Sequence, residues 1–303
     1  MRANSNPGQG RLRARIAQKP ILIAPGIYDA LTGVLARDQG AEALYVSGAA
    51  IAYTRLGRPD IGLVSMSEVA ETIALIRDRI ALPLIVDADN GYGNALNMQR
   101  TMRVFERAGA NALQIEDQAI PKRCGHLSEK RLIPAAEMIG KIRAACDARA
   151  SEETIVIART DAIAVEGFGA AIDRATRYAE AGADMLFVEA PASRQELSAI
   201  VTELGPRAPL MANMVEGGRT PLTSAAELEA LGFSLVIFPG GIARAVARAA
   251  RDFYASLLAN GTSGAYRNQM FDFDELNAAI GTPDMLALGK AYEGNGEAEG
   301  GAP

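Results

Sequence analysis

The chemically densest stretch of the chain is Pro121-Lys122-Arg123-Cys124-Gly125-His126. A thiol among two basic side chains and an imidazole is expected to ionise below its reference pKa of about 8.5. Cys124 could then exchange a proton with a carbon acid near neutral pH. The other cysteine, Cys146, lies in a helical pattern and reads as packing. Upstream, Asp87-Ala88-Asp89 ends one apolar run and Glu116 ends the next. Alternation along a strand aims both aspartates to one side. With Glu116 they form a patch of carboxylates that could not all stay ionised unaided. A hard cation such as Mg²⁺ satisfies such a patch, needing only one or two direct carboxylates beside its waters. The following Asn90-Gly91-Tyr92-Gly93-Asn94 reads as a tight loop whose backbone nears a ligand.

Eight short apolar runs must position these residues: Ile21–Pro25, Ala43–Ser47, Leu84–Asp89, Ala112–Asp117, Thr154–Thr160, Met185–Glu189, Leu210–Met214 and Leu235–Pro239. Each is apolar throughout rather than alternating, as in parallel strands buried on both faces. Helical patterns lie between them, among them Ser67–Ile80, Ala95–Arg107, Ala136–Ala148, Ala170–Glu180 and Ala225–Leu231. Four of the helices end at Gly40, Gly109, Gly182 and Gly232, where glycine closes a helix in the left-handed conformation before the next strand. Eight such units predict an α/β fold, a (β/α)₈ TIM barrel, with an open doubly wound sheet as the alternative. The barrel core spans about 20–261 of a single domain, 1–303. A helical extension follows over 262–293, and both ends are expected to be disordered.

Active sites of such barrels lie at the carboxyl ends of the strands. Those ends carry Ser47 with Gly48, Asp87 and Asp89, Glu116 and Asp117, Arg159 with Asp161, Glu189, and Asn213 with Glu216. For Asp117 and Asp161 a solvated loop start is as good a reading as function. The loop after Gln118 runs to about Pro134, longer than usual for a strand-to-helix connection, which favours a functional lid.

Composition excludes much else. The net charge of −5, with basic residues scattered among acids, disfavours a nucleic-acid partner. Two distant cysteines and one histidine leave no material for a zinc site or a disulfide framework. No apolar run reaches the roughly 20 residues of a membrane span, and no leader is evident, so a cytoplasmic location is expected.

Lys122-Arg123-Cys124-Gly125-His126 resembles the signature of the isocitrate lyase/phosphoenolpyruvate mutase superfamily, in its lyase branch. The likeness extends over roughly 20–261. It takes in Tyr45-Val46-Ser47-Gly48, Asp87-Ala88-Asp89, Gly91-Tyr92-Gly93, Ile115-Glu116-Asp117-Gln118, Ala158-Arg159-Thr160-Asp161-Ala162 and Phe187-Val188-Glu189-Ala190. The pattern is most similar to the methylisocitrate and 2,3-dimethylmalate lyases.

The resemblance implies cleavage of a carbon–carbon bond in a 2-hydroxy di- or tricarboxylic acid, yielding a 2-oxo acid such as pyruvate. It implies Mg²⁺, or alternatively Mn²⁺, held by Asp87 directly and by Asp60, Asp89 and Glu116 directly or through waters. Ser47 and Gly48 would grip the oxo-acid carboxylate. Arg159, His126, Glu189 and Asn213 would hold the other half, with Gly125 and Glu216 beside them. Cys124 would be the general acid. Tyr45, Lys122 and Glu189 are all candidates for the group that removes the hydroxyl proton. The last barrel helix would be exchanged between subunits, giving a homo-oligomer built as a dimer of helix-swapped dimers.

Val215-Glu216-Gly217-Gly218 and Phe238-Pro239-Gly240-Gly241 depart from the methylisocitrate lyase pattern. They look more like the dimethylmalate lyase and oxaloacetate hydrolase side, which leaves the variable half of the substrate open. An oxaloacetate hydrolase, a phosphonate enzyme of the phosphoenolpyruvate mutase type, and a non-catalytic metabolite-binding barrel are the competing readings.

Overall fold

The structure is a computed structural model and describes residues 8, 10–125 and 129–293. His126 and the tail 294–303, for which sequence analysis makes expectations, lie outside the described residues. The chain divides into two compact units, Met1–Ala245 and Val246–Pro303.

In the first unit, α1 (Arg11–Ile16) is followed by β1 (Leu22–Ile27), α2 (Ala30–Asp38), β2 (Leu44–Val46), α3 (Gly48–Ile51), a π-helical turn (Ala52–Leu56) and α4 (Met66–Arg79). Next come β3 (Leu84–Asp87), α5 (Ala95–Ala108), β4 (Ala112–Glu116), α6 (Ala135–Ala148), β5 (Ile155–Thr160) and α7 (Phe168–Glu180). The series ends with β6 (Met185–Val188), α8 (Arg194–Leu204), β7 (Leu210–Asn213), α9 (Ala225–Leu231), β8 (Leu235–Phe238) and α10 (Gly241–Asn260). All eight strands pair in parallel with their sequence neighbours, and β1 closes the barrel on β8. The expected (β/α)₈ barrel is what the chain forms.

Two concentric cores follow from strand alternation. Val86, Leu113, Val156, Ala158, Leu186 and Val236 point outward and pack under the helices with residues such as Ile73, Phe105 and Leu197. Tyr45, Ile85, Ile157, Phe187, Met211 and Ile237 point inward, joined by Leu12 and Ile16 of α1. One step further along each inward row the side chains turn polar: Asp87 after Ile85, Arg159 after Ile157, Glu189 after Phe187, Asn213 after Met211. The pleat that fills the barrel therefore also aims the chemistry.

Helix ends are closed as expected. Gly40, Gly109, Gly182 and Gly232 all have positive φ, between 88° and 120°. Pro134 caps α6, where the long loop was expected to end. The strand predicted to run through Ser47 instead stops at Val46. Ser47 accepts a hydrogen bond from Ala50 N at 3.2 Å and opens α3.

The second unit comprises the rest of α10, a 3-10 turn (Gly264–Gln269), α11 (Phe273–Ile280) and α12 (Thr282–Tyr292). Tyr266 ties the turn to α10, its hydroxyl donating to Ala249 O at 3.2 Å and its ring edge-on to Phe253. Neither α11 nor α12 contains a buried residue. Among the described residues no helix is long and apolar enough to cross a membrane.

Candidate active site

The carboxyl ends of the strands enclose a cavity lined by Tyr45, Asp87, Glu116, Arg159, Glu189 and Asn213 among others, and bordered by Lys122, Arg123, Cys124 and Gly125 of the long loop. Its free space is ≈ 50 Å³, room for a few waters.

On one side a short relay fixes Asp87. Tyr45 donates its hydroxyl to Gln114 Oε1 at 2.6 Å, and Gln114 Nε2 donates to Asp87 Oδ1 at 3.3 Å. Burial, reinforced by Asp87, pushes the Tyr45 phenol well above its usual range. Asp89 joins the site by a route other than strand alternation. β3 ends at Asp87, and Asp89 sits in a left-handed turn at φ 46°, its N–H donating to Asp87 Oδ1 at 3.1 Å. Gly48 approaches this carboxylate so closely that a Cβ there would lie 3.1 Å from Asp87 Oδ2.

Lys122 reaches in from the loop. Its ammonium donates to Asp60 Oδ1 and lies 2.6 Å from Asp89 Oδ1, with all three side chains buried. Burial alone would lower its pKa, but Asp89, Asp60, Glu116 and Asp87 outweigh that and raise it well above the ordinary value. The same desolvation drives Asp89 up to about 7, with Lys122 pulling it back, and raises Asp87. Glu116 is pushed well above the ordinary carboxylate range, chiefly by burial and against the pull of Arg159.

Glu116 Oε2 lies 3.4 Å from Arg159 Nε, while Oε1 is buried with no hydrogen-bond partner among the described residues. The expected three-carboxylate patch is not a ready-made cage. Among the described residues, no three His, Cys, Asp or Glu side chains converge tightly enough to hold an ion unaided, and Lys122 already bridges Asp60 and Asp89. What remains suits Mg²⁺, which takes one or two carboxylates and fills its shell with water. Asp87 faces the cavity, and the orphan oxygen of Glu116 is the other open donor.

Opposite, Arg159 lies 5.2 Å over the Phe187 ring and is gripped by Asp161 through Nε at 2.9 Å and Nη2 at 3.0 Å. Its Nη1 is 3.4 Å from Glu189 Oε2, which also accepts from Asn213 Nδ2 at 3.1 Å. Asn213 Oδ1 is a second buried acceptor without a partner. Asp161 is thus a structural anchor of the site rather than a solvated loop start. Asp117 belongs behind the barrel, where it accepts from Thr160, Tyr178 and the Asp161 N–H.

The loop is held residue by residue. Gln118 donates to Arg123 O at 2.8 Å and accepts from Arg123 N at 2.9 Å. Cys124 N–H donates to Asp60 O at 3.1 Å. Cys124 itself is half-buried and faces the cavity. Gly125 packs where a Cβ would lie 2.4 Å from Arg159 Nη2.

Glu216 stands at the rim, where its Oε2 pairs with Arg244 Nη1 at 2.8 Å, both side chains partly exposed. Arg244, rather than Glu216, lines the cavity. Sequence reasoning passed over Arg244, Lys130 and Gln114. Gln114 was detectable as the one polar side chain within an apolar strand, and Arg244 as a cation in the first turn after the eighth strand.

Comparison with known proteins bears on this geometry. The family described as phosphoenolpyruvate phosphomutase matches residues 12–258. The chain is 39% identical to a 2,3-dimethylmalate lyase of Eubacterium barkeri over 283 residues, 93% of this chain and 95% of that one. It is 42% identical to a 2-methylisocitrate lyase of Aeropyrum pernix over 273 residues, 90% and 87% of the two chains. An oxaloacetate acetylhydrolase solved with 3,3-difluorooxalacetate superposes with a TM-score of 0.90 at 31% identity, covering 96% of this chain and 98% of the other. A phosphonopyruvate hydrolase solved with oxalate and Mg²⁺ superposes with a TM-score of 0.85 at 29% identity, covering 94% and 99%. On the sequence match along almost its whole length and on the shared barrel, the chain belongs to the phosphoenolpyruvate mutase/isocitrate lyase superfamily, in its lyase branch.

Proposed function

We propose that the protein is a Mg²⁺-dependent lyase that cleaves a carbon–carbon bond in a 2-hydroxy di- or tricarboxylic acid of the 2,3-dimethylmalate or methylisocitrate type, releasing pyruvate or a close 2-oxo acid. The observation that carries this reading is that one cavity gathers the Asp87 and Glu116 carboxylates, the Arg159 guanidinium and the Cys124 thiol. The named relatives supply the reaction class. Mg²⁺ held at Asp87 and Glu116 would neutralise charge on the oxo-acid half as it develops.

The chain's own residues do the rest. Ser47 and the Gly48 backbone seat the oxo-acid carboxylate beside Asp87. Arg159, fixed by Asp161, faces the departing carboxylate with Glu189 and Asn213. Loss of the hydroxyl proton turns the C–O bond into a carbonyl, and the electron pair of the breaking C–C bond passes to the carbon next to the departing carboxylate. Cys124 Sγ then delivers a proton to that carbon. Such a positioned acid contributes on the order of 10²–10⁴-fold. Of the three candidates for the base, Tyr45 is a donor with a raised pKa and Lys122 is locked as an ammonium, which leaves Glu189.

We also propose self-association through the second unit, where Leu258, Phe273 and Tyr292 are each 80% or more exposed. Exposed apolar side chains recur on α10, α11 and α12 alike, and apolar surface of this kind suits burial against another copy of the chain. The helix-exchanged dimer of dimers implied by the resemblance is the arrangement we favour. The sparse use of cysteine, two in 303 residues, suits a reducing cytosol.

The test is pyruvate release from 2-methylisocitrate, 2,3-dimethylmalate and 2-methylmalate, with oxalate release from oxaloacetate in parallel. Each is run with Mg²⁺ or EDTA on wild type and Cys124→Ser. Mg²⁺-dependent pyruvate release that collapses in the variant supports the lyase. Oxalate release alone assigns the hydrolytic reading, which the oxaloacetate acetylhydrolase likeness favours as second. Turnover of phosphonates alone sinks both.

A further inference from the structure

Lys130 lies on the returning limb of the loop that carries Cys124, with 1% of its side chain exposed. Its Nζ donates to Asp161 Oδ1 at 2.7 Å and to Gly125 O at 2.5 Å. Asp161 at the same time grips Arg159 at 2.9 and 3.0 Å, and its own N–H is fixed by Asp117 Oδ1 at 2.9 Å. One rigid carboxylate therefore ties the residue beside Cys124 to the guanidinium beneath it. Gly125 is pressed onto that guanidinium, for a Cβ there would meet Arg159 Nη2 at 2.4 Å and Glu189 Cγ at 2.7 Å.

We propose that Lys130 is a positioning residue that seats the Cys124–Gly125 turn over the site by latching Gly125 O to Asp161. A neutralising role alone does not account for it, because Arg159 already gives Asp161 a two-point ionic partner. Burying an ammonium costs several kcal/mol unless its geometry is satisfied, and here a backbone carbonyl completes it. Two further ties on this stretch, Gln118 to Arg123 and Asp60 O to Cys124 N, come from outside the end of β5. Lys130 connects the turn to Asp161, the carboxylate that holds Arg159 at the end of that strand. Displacing a reacting group by about 1 Å costs on the order of 10²-fold in rate.

The proposal rests on the reading of Cys124 as the proton donor, and its test includes a readout that does not. Iodoacetamide labelling of Cys124, followed by peptide mass spectrometry, is compared in wild type, Lys130→Arg and Lys130→Met, each with and without Mg²⁺ and oxalate. The arginine variant keeps the charge beside Asp161, and its fixed planar fork is expected to hold that carboxylate without reproducing the short contact of the compact ammonium to Gly125 O. A latch predicts Cys124 labelling at least fivefold faster in K130R and at least tenfold faster in K130M. It further predicts kcat at least tenfold lower on whichever acid the wild type cleaves, with KM within threefold. Labelling of K130R at the wild-type rate overturns the latch, even if K130M does not fold, and so does lost turnover with unchanged labelling. Faster labelling in variants of a protein that cleaves no hydroxy acid keeps the latch and removes the lyase reading.

Discussion

Lys122 Nζ and Asp89 Oδ1 lie 2.6 Å apart in a buried contact that also engages Asp60. A permanent cation thus sits within the group of carboxylates expected to bind a metal. Removing one partner of a buried ion pair costs about 3–5 kcal/mol, because a charge is left without compensation. Lys122→Met should therefore melt roughly 6–20 °C below wild type in EDTA, at about 2–4 °C per kcal/mol for a domain of this size. Mg²⁺ should raise the melting temperature of the variant more than that of wild type, since the freed carboxylates gain a replacement cation. Equal shifts in a thermal denaturation series would mean that Lys122 and the metal do not share a field.

The raised carboxylates make metal binding compete with protons. Asp89 titrates near 7 in the folded, metal-free protein, against about 3.9 for a free aspartate, and Glu116 is raised as well. The cost of ionising Asp89 is present above pH 7 and is relieved as pH falls from 7 toward 4, so the metal-free protein gains this contribution to stability on acidification. Mg²⁺ needs the ionised forms. Its affinity, measured calorimetrically at pH 6, 7 and 8, should fall with pH as Asp87 and Glu116, both raised by burial, take up protons. Affinity independent of pH over this range would contradict direct carboxylate ligation.

Gly125 and Gly140 separate contact from conformation. A methyl group at 125 would enter Arg159 and Glu189, whereas one at 140, on α6, would meet nothing within 4 Å. Gly125→Ala should lose about 10²-fold in kcat/KM and about 1–3 kcal/mol of stability from overpacking. Gly140→Ala should be fully active and about 0.5–1 kcal/mol more stable. Activity of Gly125→Ala within threefold of wild type would show that the turn is not pressed onto Arg159.

Arg244 and Glu216 form a pair more than 40% exposed, which contributes only about 0–1 kcal/mol. Arg244→Gln should accordingly leave the melting temperature nearly unchanged. Its guanidinium lines the cavity, so it can leave Glu216 for a carboxylate at the far end of a tricarboxylic substrate. The variant should raise KM about tenfold for such a substrate, equivalent to 1.4 kcal/mol, and leave dicarboxylic substrates within twofold. Steady-state kinetics on one acid of each class decides it.

Strand positions were legible because buried parallel strands are apolar throughout and four of the preceding helices stop at a left-handed glycine. Asp87, Glu116, Arg159, Glu189 and Asn213 were legible for the same reason, since a charge at the end of an apolar run has only the barrel mouth to face. Asp89 reaches Lys122 by a left-handed turn and not by the pleating that sequence analysis expected. Lys130 was not legible. Its role depends on a loop folding back across β5, and nothing in local periodicity states where such a return limb lands. The roles of Asp117 and Asp161 were undecided for a similar reason, because facing the core or the cavity differs by a single step along the chain.

The cavity is unevenly built around its circumference. Asp87, Glu116, Arg159 and the Cys124 turn belong to the third, fourth and fifth strands and the loop between them, fixed by shared buried contacts. Glu216, Gly240, Gly241 and Arg244 belong to the seventh and eighth, where the Arg244–Glu216 pair is partly exposed and the flexible ends of those two side chains lie against the glycines. Reaction type and substrate choice are therefore written on separate arcs. A lineage can try new acids by altering a few residues on the looser arc while the bond-breaking half goes on working. Descent from one ancestral barrel to enzymes with many substrates then requires no intermediate that is inactive.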